Sequence, residues 1–449
     1  MDLADEYDVV VAGGGVAGVA AAVSSARMGA RTLLIERYGF LGGLGTAGLV
    51  NPFMSFSTST GKPLVGGFFT EICDRMSSMG GMLGRAFDPE AMKFCAQEMV
   101  LEAGSALLLH SWVTGARVSG SDLIGVEVLT KSGDREVIGR VIVDATGDAD
   151  VAAMAGAPYE LGSPEHGMTQ AMTLMFTIGG VYVGKALAYA KQNPDQMRFP
   201  KPASDEDVQR MLQGAVGVAG FYKEVEEARA NGEFTLPQDM VFFISLPTPG
   251  QVVVNTTHVG GLDGTRSEDL TTAEIEGRRQ AMSLMRFFRK YIPGFESAYL
   301  LQTAVQIGVR ETRRIFGEYI FTADDVIAGS KFDDAVLRSA YPVDIHHPIG
   351  KGYAREDNGK LPSTPPPGDW YEVPYRSLVP LEVDNLLVAG RCISATHEGQ
   401  GAVRIMPNCM ALGQAAGTAA ALCVQRSMTP RALDTGLLRK HLLDQGAII

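Results

Sequence analysis

Residues 7–36 read YDVVVAGGGVAGVAAAVSSARMGARTLLIE, and this stretch decides the fold. Tyr7–Ala12 is a short apolar, β-branched run, the pattern of a buried parallel strand. Gly13-Gly14-Gly15-Val16-Ala17-Gly18 follows, then a small-residue helix running from Val19 to about Met28 and ended by Gly29. Arg31–Ile35 forms a second strand with Glu36 at its tip. Each glycine has a physical task. Gly13 permits a tight turn, Gly15 lets the backbone approach a pyrophosphate, and Gly18 lets helix and strand pack closely. Val16 and Ala17 lie at the helix N-terminus, which presents free N–H groups and a positive dipole end to phosphate. Glu36, about 20 residues on, is placed to accept from a ribose hydroxyl. With strand, helix and acid all present, the motif predicts a dinucleotide site. It does not separate NAD from FAD, and the absence of a cation at position 36 disfavours NADP. A second match, Gly43-Leu44-Gly45-Thr46-Ala47-Gly48, has no strand before it and is not read as a second dinucleotide site.

Composition narrows the class. A chain of 449 residues is too long for one comfortable core, which predicts two domains. Hydrophobic residues at 46% and charged residues at 20% indicate a folded globular protein. A formal net charge of −12 argues against nucleic acid as a partner. No apolar run of about 18 residues exists, so no membrane span is expected. The acidic opening MDLADEYD has no export-signal pattern, and five scattered cysteines without C-x-x-C read as reduced thiols. A cytoplasmic protein is the expectation.

Further blocks carry a resemblance. They are Glu36-Arg37 with Leu41-Gly42-Gly43, then Val143-Asp144-Ala145-Thr146-Gly147-Asp148, and Arg310–Tyr319. Late in the chain come Asn385–Arg391, an apolar strand ending in Gly390-Arg391, and Val403–Gly417. Together these resemble the FAD-dependent oxidoreductases of the glutathione-reductase structural type, relatives of fumarate reductase and heterodisulfide reductase flavoproteins. The resemblance implies an α/β fold, a Rossmann-type FAD-binding domain of three-layer ββα architecture with an inserted α+β substrate domain. FAD-binding segments would span 1–50, 90–160 and 371–449, and the substrate domain 161–370, with 51–89 contributing. It also implies cofactor contacts from Gly42, Gly43, Thr46, Arg37, Val113 (on adenine), Ala145, Thr146, Gly147 and Gly390. Many relatives carry Gly-Asp where this chain has Gly390-Arg391, so Arg391 departs from the usual pattern and is assigned to the cofactor in its place. The helix expected from Asn408, with Pro407 in its first turn, would aim its N-terminus at the flavin pyrimidine, and adds Asn408 and Met410.

The residues themselves agree with a β-meander over Trp112–Asp144, turning at Ser132-Gly133-Asp134. Between 160 and 370, Thr169–Ile178 alternates like a strand, and Ser204–Asn231 reads as an amphipathic helix capped by Ser204 and Asp207. Thr271–Tyr291 reads as a second helix, opened by Thr271 with Glu274 three residues on. Its Arg278, Arg279, Arg286, Arg289 and Lys290 form a solvated face. Residues 355–370, REDNGKLPSTPPPGDW, form a proline-rich inter-domain loop.

A flavin enzyme needs a positioned substrate and a proton donor or acceptor. His397 lies in a loop between the late strand and the late helix, where a general base would stand. His346 and His347 are adjacent, so in extended chain only one faces a cleft. No third ligand is spaced with them for a metal. Arg310, Arg313 and Arg314 could fork a carboxylate substrate or form an ion-pair network with Glu311 and Glu318. Arg404 is a second anion candidate. Tyr375 and Arg376 line a cleft or pack a domain edge, and Cys392 is a flavin attachment point or a buried thiol.

The resulting expectation is an FAD-dependent oxidoreductase moving a hydride between flavin N5 and a small polar organic substrate, by C–OH or C–H oxidation or C=C reduction. The alternatives are a flavoprotein with non-redox chemistry or an electron-transfer subunit, and, further off, an NAD-dependent dehydrogenase. The residues are compatible with a homo-oligomer, and with oxygen, a quinone, a nicotinamide or a protein as electron partner.

Overall fold

The computed structural model describes residues 6–349 and 363–449. Residues 355–362, half of the proline-rich stretch 355–370 named above, lie outside them. The apolar run after the N-terminus forms the strand Glu6–Ala12, which sits at the centre of a seven-stranded sheet. Thr32–Ile35, then Ala106–Leu108, add in parallel on one side. On the other side lies the long strand Gly133–Asp144, whose second half pairs in parallel with both Glu6–Ala12 and Leu386–Val388. Its first half pairs antiparallel with Asp122–Thr130, which pairs with Trp112–Ser119, completing the expected meander.

Register decides where the site is. Ala12 lies opposite Asp144, and Val388 opposite Asp144 on its other side. The loops after these three strands therefore leave the same carboxyl edge together, tied by Ala145 N–H donating to Ala12 O at 2.8 Å and Ala389 N–H to Asp144 O at 2.9 Å. Ligands of open α/β sheets bind at that edge.

One face of the sheet is covered by the helices Val16–Arg27 and Met406–Arg426, both built from small residues. They approach so closely that a Cβ on Gly413 would stand 2.0 Å from Ala17 O, and one on Gly417 2.1 Å from Ala21 O. The meander covers the other face through Leu123, Val126 and Val128 against Val10, Leu33 and Ile35. This is the three-layer ββα arrangement.

A second, wholly antiparallel sheet of six strands is built from residues 176–303. Alternation along Val241–Ser245 splits its side chains. Val241 and Phe243 enter a core with Phe221, Phe288 and Phe295, while Ile244 faces Leu49, Ala86 and Val309 beside the first sheet. The long helix Ser267–Tyr291 backs this core and leaves its five cations Arg278, Arg279, Arg286, Arg289 and Lys290 exposed.

Several local expectations change. Ser204–Asn231 is two helices, Asp205–Leu212 and Tyr222–Ala230, separated by the strand Gly217–Gly220. The Ser204–Asp207 capping box is formed, but Gly214 and Gly217 interrupt the helical run. Thr169–Ile178 is a strand only from Phe176. The long helix starts at Ser267, because Thr271 bonds back to Ser267 O instead of capping. The late helix starts at Met406, two residues before Asn408, with proline in its first turn.

Candidate functional site

The three loops at the carboxyl edge open into one continuous cleft of about 1180 Å³ that runs from Glu36 to the six-stranded sheet. At its nucleotide end, Gly13 has φ +98°, and a Cβ on Gly18 would lie 1.8 Å from Gly13 O, which is the close helix–strand packing that position demands. Glu36 is buried, its Oε2 accepting from Gly14 N–H at 2.7 Å and its Oε1 from Tyr38 N–H at 2.8 Å. Burial raises its pKa against the pull of these donors. Arg37 lies over the rings of Tyr38 (5.0 Å) and Trp112 (5.1 Å), and Val113 lines the same end.

The second glycine motif belongs to this same site. Gly43–Gly45 forms a 3₁₀ turn held by Gly42 N–H on Gly14 O at 2.9 Å. A Cβ on Gly43 would stand 2.7 Å from Gly15 Cα, so two glycine backbones face each other across the cradle. Thr46 closes that turn on Leu41 O at 2.8 Å. Gly18, Gly42, Thr46 and Gly147 shape the cleft without lining it, whereas Gly13, Gly15, Val16, Ala17, Glu36, Arg37 and Gly43 line it directly.

In the middle, buried Asp144 anchors the next loop. Its Oδ1 accepts from Thr146 N–H (3.0 Å) and Thr146 Oγ1–H (2.7 Å), and its Oδ2 from Ala152 N–H (2.9 Å). Burial pushes its pKa up to about 6. Ala145, Thr146, Gly390 and Arg391 line the cleft here. Arg391 is ion-paired with Asp148, and Gly147 (φ +81°) has no Cβ because one would meet the Arg391 guanidinium at 2.8 Å. The sequence reading did not single out Asp148. Its sign was its place in the Asp144–Asp148 block.

At the late helix, Ile405, Met406 and Cys409 line the cleft. Asn408 and Met410 differ from expectation. Starting the helix at Met406 turns both side chains away, the Asn408 amide donating to Ser339 Oγ (3.0 Å) and Ala402 O (3.3 Å), and Met410 being fully buried. Cys392 is buried outside the lining residues, with its thiol pushed well up by burial.

The substrate-side candidates separate clearly. His346 lines the cleft, and His347 does not. The His346 Nε2 stands 3.6 Å from Asp344 Oδ2, and its backbone N–H donates to Gln170 Oε1 at 3.2 Å. Burial, then the Arg310 charge, lower its pKa to about 4. Arg310 and Arg404 also line the cleft, Arg310 donating to Ala171 O and Arg404 Nη2 to Asp344 Oδ2 at 3.0 Å. Gln170 and Gln400 are bonded to each other at 3.0 Å, and Gln400 holds Arg310 O at 2.9 Å.

His397 is elsewhere. It is buried outside the lining residues, with Nδ1 2.8 Å from Glu311 Oε1. The same carboxylate pairs with fully buried Arg314, which also binds Glu160 at 2.6 Å. The ion-pair network expected around Glu311 therefore exists, but Glu318 pairs with Arg431, and Arg313 with Asp150. Tyr375 is buried on Pro430 O and Arg376 is paired with Asp334, both off the cleft.

The cradle fits a flavin dinucleotide. Facing glycine backbones, a buried acid at the ribose position and a helix N-terminus are matched by two buried nitrogens, Arg391 Nε and Arg404 Nε, without a hydrogen-bond partner among the described residues. Fold and cleft together define a Rossmann-type FAD-binding flavoprotein.

Its family follows from comparison. The chain belongs to the FAD dependent oxidoreductase family, whose model matches residues 8–442. It is an FAD-dependent enzyme. It is also similar to a tRNA uridine 5-carboxymethylaminomethyl modification enzyme of Aquifex aeolicus (strain VF5), 36% identical over 91 residues. That match covers 20% of this chain and 12% of that relative. Among solved structures, a geranylgeranyl bacteriochlorophyll reductase-like protein from Thermoplasma acidophilum has a TM-score of 0.47 at 13% identity, covering 98% of this chain and 84% of that one. L-proline dehydrogenase from P. horikoshii has a TM-score of 0.42 at 13% identity over 95% of each chain. Among the described residues, no helix is long and apolar enough to cross a membrane.

Proposed function

We propose that this oxidoreductase moves a hydride between flavin N5 and a carbon of a small polar organic substrate, with His346 exchanging the coupled proton. The reading rests on one observation. His346, Arg310 and Arg404 line the same cleft as the flavin-side residues Gly390, Arg391, Ile405 and Met406. Bound FAD supplies the two-electron chemistry. Arg310 and Arg404 offer guanidinium groups to an anionic substituent and orient it. Held neutral by burial and by Arg310, His346 is ready at pH 7 to take a proton from a substrate C–OH, and returns it in the opposite direction. Gln170 fixes the His346 backbone, and through Gln400 it is linked to Arg310. His397, withdrawn onto Glu311, organises the buried network behind these groups.

Anaerobic mixing of the holoprotein with small hydroxy, amino and unsaturated acids tests this. One of them should bleach the oxidised flavin spectrum, or reoxidise the reduced flavin. Replacing His346 with Gln should slow that step by about 10²–10⁴-fold with the FAD content unchanged. An undiminished rate in that variant would remove His346 from the chemistry.

A further inference from the structure

The helix Ser267–Tyr291 presents to solvent a face that its own chain leaves uncovered. Its core side holds Ala273, Gly277, Ala281, Leu284 and Phe288, yet Ile275 is 49% exposed and Met282 50%. Seven residues make about two turns, so these two apolar side chains stand on one line of the helix. The same line carries Glu268, seven residues before Ile275, and Arg289, seven after Met282, both exposed. The macrodipole accounts for an acid in the first turn and a cation in the last. It accounts for neither apolar residue between them, nor for Arg286.

The spacing has a symmetry. Ile275 and Met282 are centred between Arg278 and Arg279, and so are Glu268 and Arg289. A two-fold axis through that centre, perpendicular to the helix, lays a second copy of the helix antiparallel on the first. Ile275 then meets Met282 of the second copy, and Glu268 meets Arg289, with Arg286 one turn away. By symmetry each contact occurs twice. Glu268, Arg286 and Arg289 have no ion-pair partner among the described residues. The two arginines at the axis are matched within their own chain, Arg278 by Glu274 at 2.8 Å and Arg279 by Glu276 at 3.9 Å.

The uncovered surface does not end at the helix. Tyr299–Thr303 is the edge strand of the six-stranded sheet, and no strand pairs with its outer side among the described residues. Native sheets cover such edges. Tyr299 and Leu301, two residues apart, and Val305 beyond them are 56%, 41% and 55% exposed. Ile307 N–H donates to Glu274 Oε1 at 2.6 Å and fastens this segment to the flank of the helix. The helix is about 37 Å long and about 10 Å wide. With the strand segment beside it, the face approaches the roughly 800 Å² per partner of a specific interface.

We infer that this face is the contact between two copies of the chain, packed with Ser267–Tyr291 antiparallel to itself about a two-fold axis at Arg278–Arg279. Charge decides for a second copy over a different partner. The line carries acid at one end and cation at the other, and an antiparallel copy presents the reverse order at the same spacing. Burial of Ile275 and Met282 drives the association, and the two Glu268–Arg289 pairs fix its register.

The test is sedimentation of the FAD-loaded full chain, which should show twice the mass of one chain between about 1 and 100 µM. Ile275→Asp, which puts a charge into the apolar contact, should raise the dissociation constant at least about tenfold. Glu268→Arg or Arg289→Glu sets like charges against each other at both ends and should have an effect of the same size. The double variant Glu268→Arg/Arg289→Glu restores opposite charges and should recover the parent's dissociation constant to within about threefold. FAD content should stay at the parent's level in every variant. A merely structural effect would not produce that recovery, because both reversals oppose the helix macrodipole and their costs would add. A parent that stays monomeric to about 100 µM would overturn the inference and leave the face to another partner. So would a dimer that survives Ile275→Asp and both single reversals, or a double variant that stays dissociated.

Discussion

His346 offers a quantity that can be measured without knowing the substrate. Its imidazole is buried near Arg310 and Arg404, with Asp344 as the opposing carboxylate, and its pKa is lowered to about 4. An ordinary histidine titrates near 6.5, so the shift is about 2.5 units, or about 3 kcal/mol at 1.36 kcal/mol per unit. The folded-state value lies below the unfolded one, so the unfolded chain binds the extra proton. The contribution to stability is then fully present above about pH 6.5 and is lost as pH falls from there toward about 4. The chain has seven histidines, few enough for their ring protons to be followed one by one by NMR. The signal missing from His346→Gln identifies the residue, and in the parent protein it should titrate near 4. Arg310→Gln removes the second cause of the depression and should move that titration upward. Urea midpoints measured from pH 7 to pH 4 should fall less steeply in His346→Gln than in the parent, by an amount equivalent to about 3 kcal/mol. A His346 signal titrating at about 6 or above, or one unmoved by Arg310→Gln, would refute the account of a histidine kept neutral by its surroundings.

Three further outcomes follow from the packing. Glu311→Ala removes one of the two carboxylates paired with fully buried Arg314 and strips the His397 imidazole of its partner, so urea unfolding should show a loss of about 3–5 kcal/mol. Gly413→Val forces a side chain into the 2.0 Å space above Ala17 O, and even alanine there should cost about 1–3 kcal/mol, with the valine variant purifying free of FAD. Glu36→Ala, by removing the acceptor for Gly14 N–H, for Tyr38 N–H and for the expected ribose hydroxyl, should weaken FAD binding by about 10- to 100-fold in a fluorescence titration and lower the stability of the FAD-free protein by about 1–3 kcal/mol in urea unfolding.

What was legible in the sequence was whatever follows from backbone geometry. Gly13, Gly15 and Gly18 specify a strand, a turn and a helix, and close neighbours in sequence are close neighbours in space. The meander was readable for the same reason, since its strands are joined by short turns. Side-chain direction was not. Whether Asn408 or Cys409 faces the cleft depends on the residue at which the helix begins, and a two-residue error in that start rotates the face by about 200°. His397, expected in a loop, opens the short helix His397–Val403 and faces away from the cleft, since its partner Glu311 is 86 residues away in sequence and nothing local announces their contact. The six-stranded sheet, buried on both faces at this strand, left one faint trace. Val241-Phe242-Phe243-Ile244 is apolar on both faces of a strand, which a strand with one wet face would not be.

The contact of Ala17 with Gly413 also dictates an order of events during synthesis. The glycine turn leaves the ribosome early, but the helix that holds its own helix in place is made almost four hundred residues later. At translation speeds of about 5–20 residues per second, that interval is roughly 20–80 s. Throughout it Val19, Ala20 and Val23, destined for the core, have no partner from the late helix. The nucleotide cradle is therefore not closed until that late helix is made, although its signature is read first.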